Sequence, residues 1–118
     1  MSHAIKIYVK DNKVVSRRIM WNDTNNLDTI QKSLGVDSAD VQSLTNTIDV
    51  WVDDISALKK GNYLIGMVIN NQEYRFAGKV LLLGIDNDTG KTRGLSSKEL
   101  EWIDKNLKLW AKPIGFIN

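Results

Sequence analysis

Apolar and polar positions alternate with a period of two over Ala4 to Val9, with Ile5, Ile7 and Val9 on one face and Lys6, Tyr8 and Lys10 on the other. That period predicts a half-buried strand. Asp11-Asn12-Lys13 reads as a turn, and Val14 to Trp21 as the returning strand of a hairpin, in which the adjacent Arg17 and Arg18 must face opposite sides. Leu27, Ile30 and Leu34 follow a helical spacing, with Thr24 or Asn26 available as cap and Gly35 at the C′ position. Val36 to Asn46 is the least patterned stretch, where Val41 and Leu44 suggest a short helical turn.

Ile48, Val50 and Val52 alternate with Asp49, Trp51 and Asp53, which predicts another half-buried strand. Asp54 to Asn62 is a connection. Tyr63 to Ile69 and Gln72 to Ala77 flank Asn70-Asn71, and asparagine's tolerance of positive φ predicts a tight hairpin. Val80 to Ile85 is apolar on both faces, the signature of a central strand covered from both sides. After a loop over Asp86 to Gly94, Ser96 and Glu99 form a capping box. Leu100, Ile103, Leu107 and Trp110 share one face of the helix that follows, Pro113 ends it, and Ile114 to Ile117 could add an edge strand. The expected architecture is a single α+β domain over residues 1–118. Its order is ββ-α-ββββ-α-β, an antiparallel sheet of about six strands with two main helices packed on it.

Composition narrows the function classes. A chain of 118 residues fits one domain, and with 42% apolar and 25% charged residues it has the make-up of a globular protein rather than a disordered one. With no cysteine, disulfides, thiolate zinc sites and cysteine nucleophiles are excluded. The N-terminus shows no apolar segment behind a basic start, and no apolar run is long enough to cross a bilayer, so a cytosolic setting without membrane contact is expected. Sixteen basic against 14 acidic residues give a net charge of +2, a balance too even to predict nucleic-acid binding.

Motifs for catalysis are absent. Gly84 to Thr92 imitates a phosphate-binding loop, but five residues separate Gly84 from Gly90-Lys91-Thr92 where four are needed, and no helix follows directly. The same stretch fails as a calcium loop, because Gly90, Lys91 and Ser97 stand where an oxygen ligand, glycine and glutamate belong. His3 is the single histidine, and Glu73, Glu99 and Glu101 are the only glutamates. Acid–base work and metal binding therefore lack equipment, and neither catalytic residues, metal nor cofactor is expected. Aromatic and cationic residues suggest binding instead. Trp51 stands on the polar face of its strand, and Tyr74 shares a face with Phe76. Arginine is scarce, four against 12 lysines, and its fork suits phosphate and carboxylate. Arg17, Arg18, Arg75, Lys91 and Arg93 are candidate anion contacts, with Trp51 or Tyr74 for stacking.

Val80 to Ser96 reads VLLLGIDNDTGKTRGLS, an apolar strand, an acidic turn with Gly-Lys, then Gly-Leu-Ser. This segment resembles a family of small uncharacterised proteins of bacteriophages and mobile elements, which carry proline where Ser96 stands here. The resemblance implies a phage or mobile-element setting in a host cytosol. The expected function is then a non-enzymatic, homo-oligomeric binding protein that evades host immunity by sequestering a small anionic nucleotide-derived signal. The alternatives are an inhibitor directed at a host defence protein or a virion component, and a phosphodiesterase-type hydrolase.

Overall fold

A computed structural model of the chain describes residues 2–22, 27–36, 38–53 and 63–113. The first hairpin joins β1 (Ser2–Lys10) to β2 (Lys13–Trp21) through a two-residue turn, Asp11 at φ 53° and Asn12 at φ 64°. Both turn residues are left-handed, which matches the right-handed strand twist. Helix α1 (Leu27–Leu34) ends at Gly35, whose φ of 69° is the left-handed C′ conformation that glycine adopts without strain. The residues expected to cap its start lie outside the described residues.

Next come β3 (Ala39–Ser43), β4 (Ile48–Asp53), β5 (Tyr63–Ile69), β6 (Gln72–Ala77), β7 (Val80–Ile85) and the short β8 (Thr92–Arg93). Helix α2 (Ser97–Asn106) carries the expected capping box, with Glu99 N donating to Ser96 Oγ at 3.2 Å and Ser96 N donating to Glu99 Oε1 at 2.9 Å. The chain closes with β9 (Lys108–Pro113). No helix among the described residues is long and apolar enough to cross a membrane.

The fold is α+β with antiparallel pairing throughout, but it holds two sheets rather than one. The larger runs β2-β1-β7-β4-β3, with β8 paired to the end of β7; the smaller runs β6-β5-β9. Strand β7 takes the central place its apolar sequence calls for, and Val80 to Leu83 are wholly buried. One core lies between the sheets: Ile5, Ile7, Val50 and Leu82 meet Ile65, Met67 and Phe76, and Leu100 and Ile103 of α2 close it. The second core lies on the opposite face of the larger sheet, where Ile30 and Leu34 of α1 cover Ala4, Trp21, Leu81 and Leu83.

Two local expectations are corrected. Residues 39–43 form an edge strand rather than a helical turn. The stretch is almost wholly exposed, Val41 included, so backbone pairing to β4 sets its conformation instead of a buried apolar stripe. The last helix stops at Asn106, and Lys108–Pro113 is a strand paired to β5 instead of a helical continuation. Leu107, Leu109 and Ala111 pack inward at a period of two, which competes with the helical spacing of Leu107 and Trp110 and wins.

Candidate functional site

The two-residue turn sets the register of the first hairpin. Lys10 pairs with Lys13, and counting back puts Lys6 directly opposite Arg17 and Ala4 opposite Ile19. Because side chains alternate, these pairs share the face of the larger sheet that α1 partly covers, while Ile5 and Ile7 point into the inter-sheet core. Lys79, placed between β6 and β7, reaches the same region. Its Nζ would stand 3.7 Å from a Cβ at Gly35, beside the C-terminus of α1, where the helix dipole favours a cation.

The result is a depression of about 250 Å³ lined by Lys6, Tyr8, Arg17, Ile19 and Lys79. Among the described residues, three cations and no carboxylate form its wall. Like charges directly opposite in an antiparallel pair are destabilising, so the arrangement carries a local cost that the Tyr8 ring beneath Lys6 offsets only in part. The strain shows in Lys6, whose pKa lies below the ordinary lysine value because of burial, then the charges of Lys79 and Arg17. Its ammonium stands 5.9 Å from the centre of the Tyr8 ring, and Lys6 with its three donors and Arg17 with its guanidinium fork line one small space. Chemically that set suits a compact anion such as a phosphoryl group.

The seven residues singled out in the sequence are not one site. Arg17 belongs to the depression. Arg18, its neighbour, faces the other side of the sheet and pairs with Asp104 of α2. Arg93 and Lys91 stand in different surroundings. The Arg93 guanidinium forks onto Glu99, Nη1 to Oε1 at 2.7 Å and Nη2 to Oε2 at 3.2 Å, while Lys91 is exposed in the β7–β8 loop. That loop is a hairpin connection, with Asp86 N donating to Lys91 O at 2.8 Å and Asp88 N to Asp86 Oδ1 at 2.9 Å.

Arg75 stands on the outer face of the smaller sheet, 2.8 Å from Glu73 and 5.7 Å from the centre of the Trp110 ring. Tyr74 packs inward against the core, stacked parallel to Phe76 at 6.3 Å, and its hydroxyl donates to Gln72 Oε1 at 2.6 Å. Trp51 packs beside the α1 core and its Nε1 is buried without a partner. On the same strand face Asp49 is buried, and that burial pushes its carboxyl above the usual range.

Lys6, Tyr8 and Lys79 were not among the sequence candidates. Reading the turn as three residues, Asp11-Asn12-Lys13, hides the register that brings Lys6 against Arg17; a two-residue turn with both residues left-handed reveals it.

A family model described as a domain of unknown function, DUF3846, matches residues 5–108. The chain belongs to that family. The DUF3846 match takes in most of both core clusters and every described residue of the depression's wall. No curated protein and no solved structure matches the chain.

Proposed function

We propose that this DUF3846 protein is a non-enzymatic binding protein for a small phosphate-bearing molecule, held at Lys6, Arg17 and Lys79 with Tyr8 alongside. One observation carries the reading: two cations placed directly across a strand pair, joined by a third, around a pocket with no acidic side chain among its described lining residues. A protein tends to keep such a local cost where function requires it. A volume of about 250 Å³ lies below the common range for drug-sized ligands and suits a phosphoryl group with its sugar. The resemblance of Val80 to Ser96 to phage and mobile-element proteins supports a setting in which the ligand is a nucleotide-derived immune signal, bound in the host cytosol by an oligomer of this chain.

Thermal melting with ADP, ADP-ribose and cyclic dinucleotides tests the proposal. A ligand at about 100 times its Kd adds about 2.7 kcal/mol to stability, and Lys6→Gln and Arg17→Gln should abolish the shift. If no compound moves the midpoint of the wild-type protein, the reading falls.

A further inference from the structure

The depression is one end of a longer charged track. Outward from Lys6 and Arg17 along the hairpin, the next side chains on the same face are Tyr8 opposite Val15, then Lys10 opposite Lys13. Two rungs of paired cations thus bracket one aromatic rung, with Lys79 beside the inner one. The outward positions of β1 and β2 from residue 4 to residue 19 carry no acidic side chain. Five of the 16 basic residues therefore lie on one strip, and the near-neutral total charge conceals it.

The rungs are four residues apart, about 13 Å along the strand. A mononucleotide reaches one of them. A stacked single strand advances about 3.4 Å per nucleotide, so about four nucleotides span both. Tyr8 is half-buried between the rungs, at the place where a base would stack, and aromatic stacking with flanking cations is how single strands are held without reading sequence.

We infer that the outer face of the β1–β2 hairpin binds a single-stranded oligonucleotide of four or more nucleotides, its phosphates on the Lys6/Arg17 and Lys10/Lys13 rungs and a base against Tyr8. This rests on the phosphate-binding reading above and extends it from one pocket to a track.

Fluorescence anisotropy with labelled (dT)8 and (rU)8, beside calorimetry with ADP, tests it. The double variant Lys10→Gln/Lys13→Gln should lower the octamer-to-ADP affinity ratio tenfold or more. It should also reduce the slope of log K against log salt by about 1.4, two contacts at about 0.7 each. Tyr8→Ala should weaken the octamer, with Tyr8→Phe restoring it. Circular dichroism of each variant confirms that it is folded. An unchanged ratio and slope in the double variant, with Arg17→Gln weakening both probes, overturns the track and leaves the single pocket standing. Binding of a duplex as tight as the octamer, unaffected by Tyr8→Ala, overturns the single-strand assignment. Failure of the wild-type protein to bind either octamer or ADP overturns both readings.

Discussion

Arg93 and Glu99 form a two-pronged ion pair, 2.7 and 3.2 Å, that fastens β8 to the first turn of α2. The surroundings are cut to fit. A Cβ at Gly84 would stand 2.3 Å from Arg93 Nη1, so glycine there makes room for the guanidinium. Glu99 also closes the capping box with Ser96 and takes a hydrogen bond from Thr47. Burial by itself would raise the Glu99 pKa, but the bonds from Arg93, Ser96 and Thr47 outweigh it and hold the carboxyl down at about 2.

A carboxylate held below its unfolded value stabilises the fold above the unfolded pKa, and that stability fades as pH falls through the folded one. From an ordinary value of 4.5 to about 2, the contribution is of order 3 kcal/mol. Glu99→Gln should therefore lower the urea midpoint at pH 7. The gap to wild type should narrow between pH 4.5 and 2. A gap that stays constant over that range would separate Glu99 from the stability of α2.

Lys6 has the opposite sign. Its folded pKa lies below 10.5, so its charge costs stability at neutral pH, and the cost lifts as pH rises through the lowered value toward 10.5. Lys6→Met should raise stability by about 0.5 kcal/mol at pH 7, with the gain shrinking as pH rises through the lowered value toward 10.5, while weakening anion binding. Calorimetric melting with and without ADP checks both. A Lys6→Met protein that is less stable yet binds as well as wild type would remove this lysine from the site.

Trp110 lies on β9 directly opposite Gly66 of β5, and a Cβ at Gly66 would stand 1.9 Å from the indole. Gly66→Ala forces the ring off the strand and should cost about 2 kcal/mol. In the double variant with Trp110→Ala the penalty should largely vanish, a non-additivity that equilibrium unfolding measures directly.

The two tight turns should respond differently to glycine. Asn71, at φ 63°, makes no further contact among those described, so Asn71→Gly should be near neutral and Asn71→Val should cost about 1–2 kcal/mol. Asn12 also accepts a hydrogen bond from the Tyr63 hydroxyl, which ties the first hairpin to β5. Asn12→Gly should lose about 0.5 kcal/mol more than Asn71→Gly. Urea titrations of the pair decide it.

The elements legible in the chain were those where local chemistry and burial agree. Val80 to Ile85 is apolar on both faces because sheet pairs and cores surround it, and Ser96 with Glu99 announces a helix start. Lys108 to Pro113 misleads because Leu107 fits two periods at once, the helical one with Trp110 and the strand one with Leu109 and Ala111, and the choice depends on β5, distant in the chain. Residues 39–43 carry little signal, since an exposed edge strand is held by its backbone rather than by a buried apolar face. For the site, Arg17 was visible as a scarce residue type, but its partnership with Lys6 lives in a one-residue difference of turn length. The division of labour among arginines could not be read at all. Arg18, Arg93 and Arg75 differ only in which acidic side chain the fold brings near.

The central place of β7 makes assembly an all-or-nothing affair. Its neighbours β1 and β4 come from far upstream, Ile7 meeting Val80 and Val52 meeting the same residue from the other side. A nascent chain halted at Lys79 would own its hairpins yet have no seam to sew them into the larger sheet. Non-local closure of this kind is slow compared with helical bundles. Until the apolar ribbon Val80 to Leu83 docks, it is the stretch a chaperone would shield.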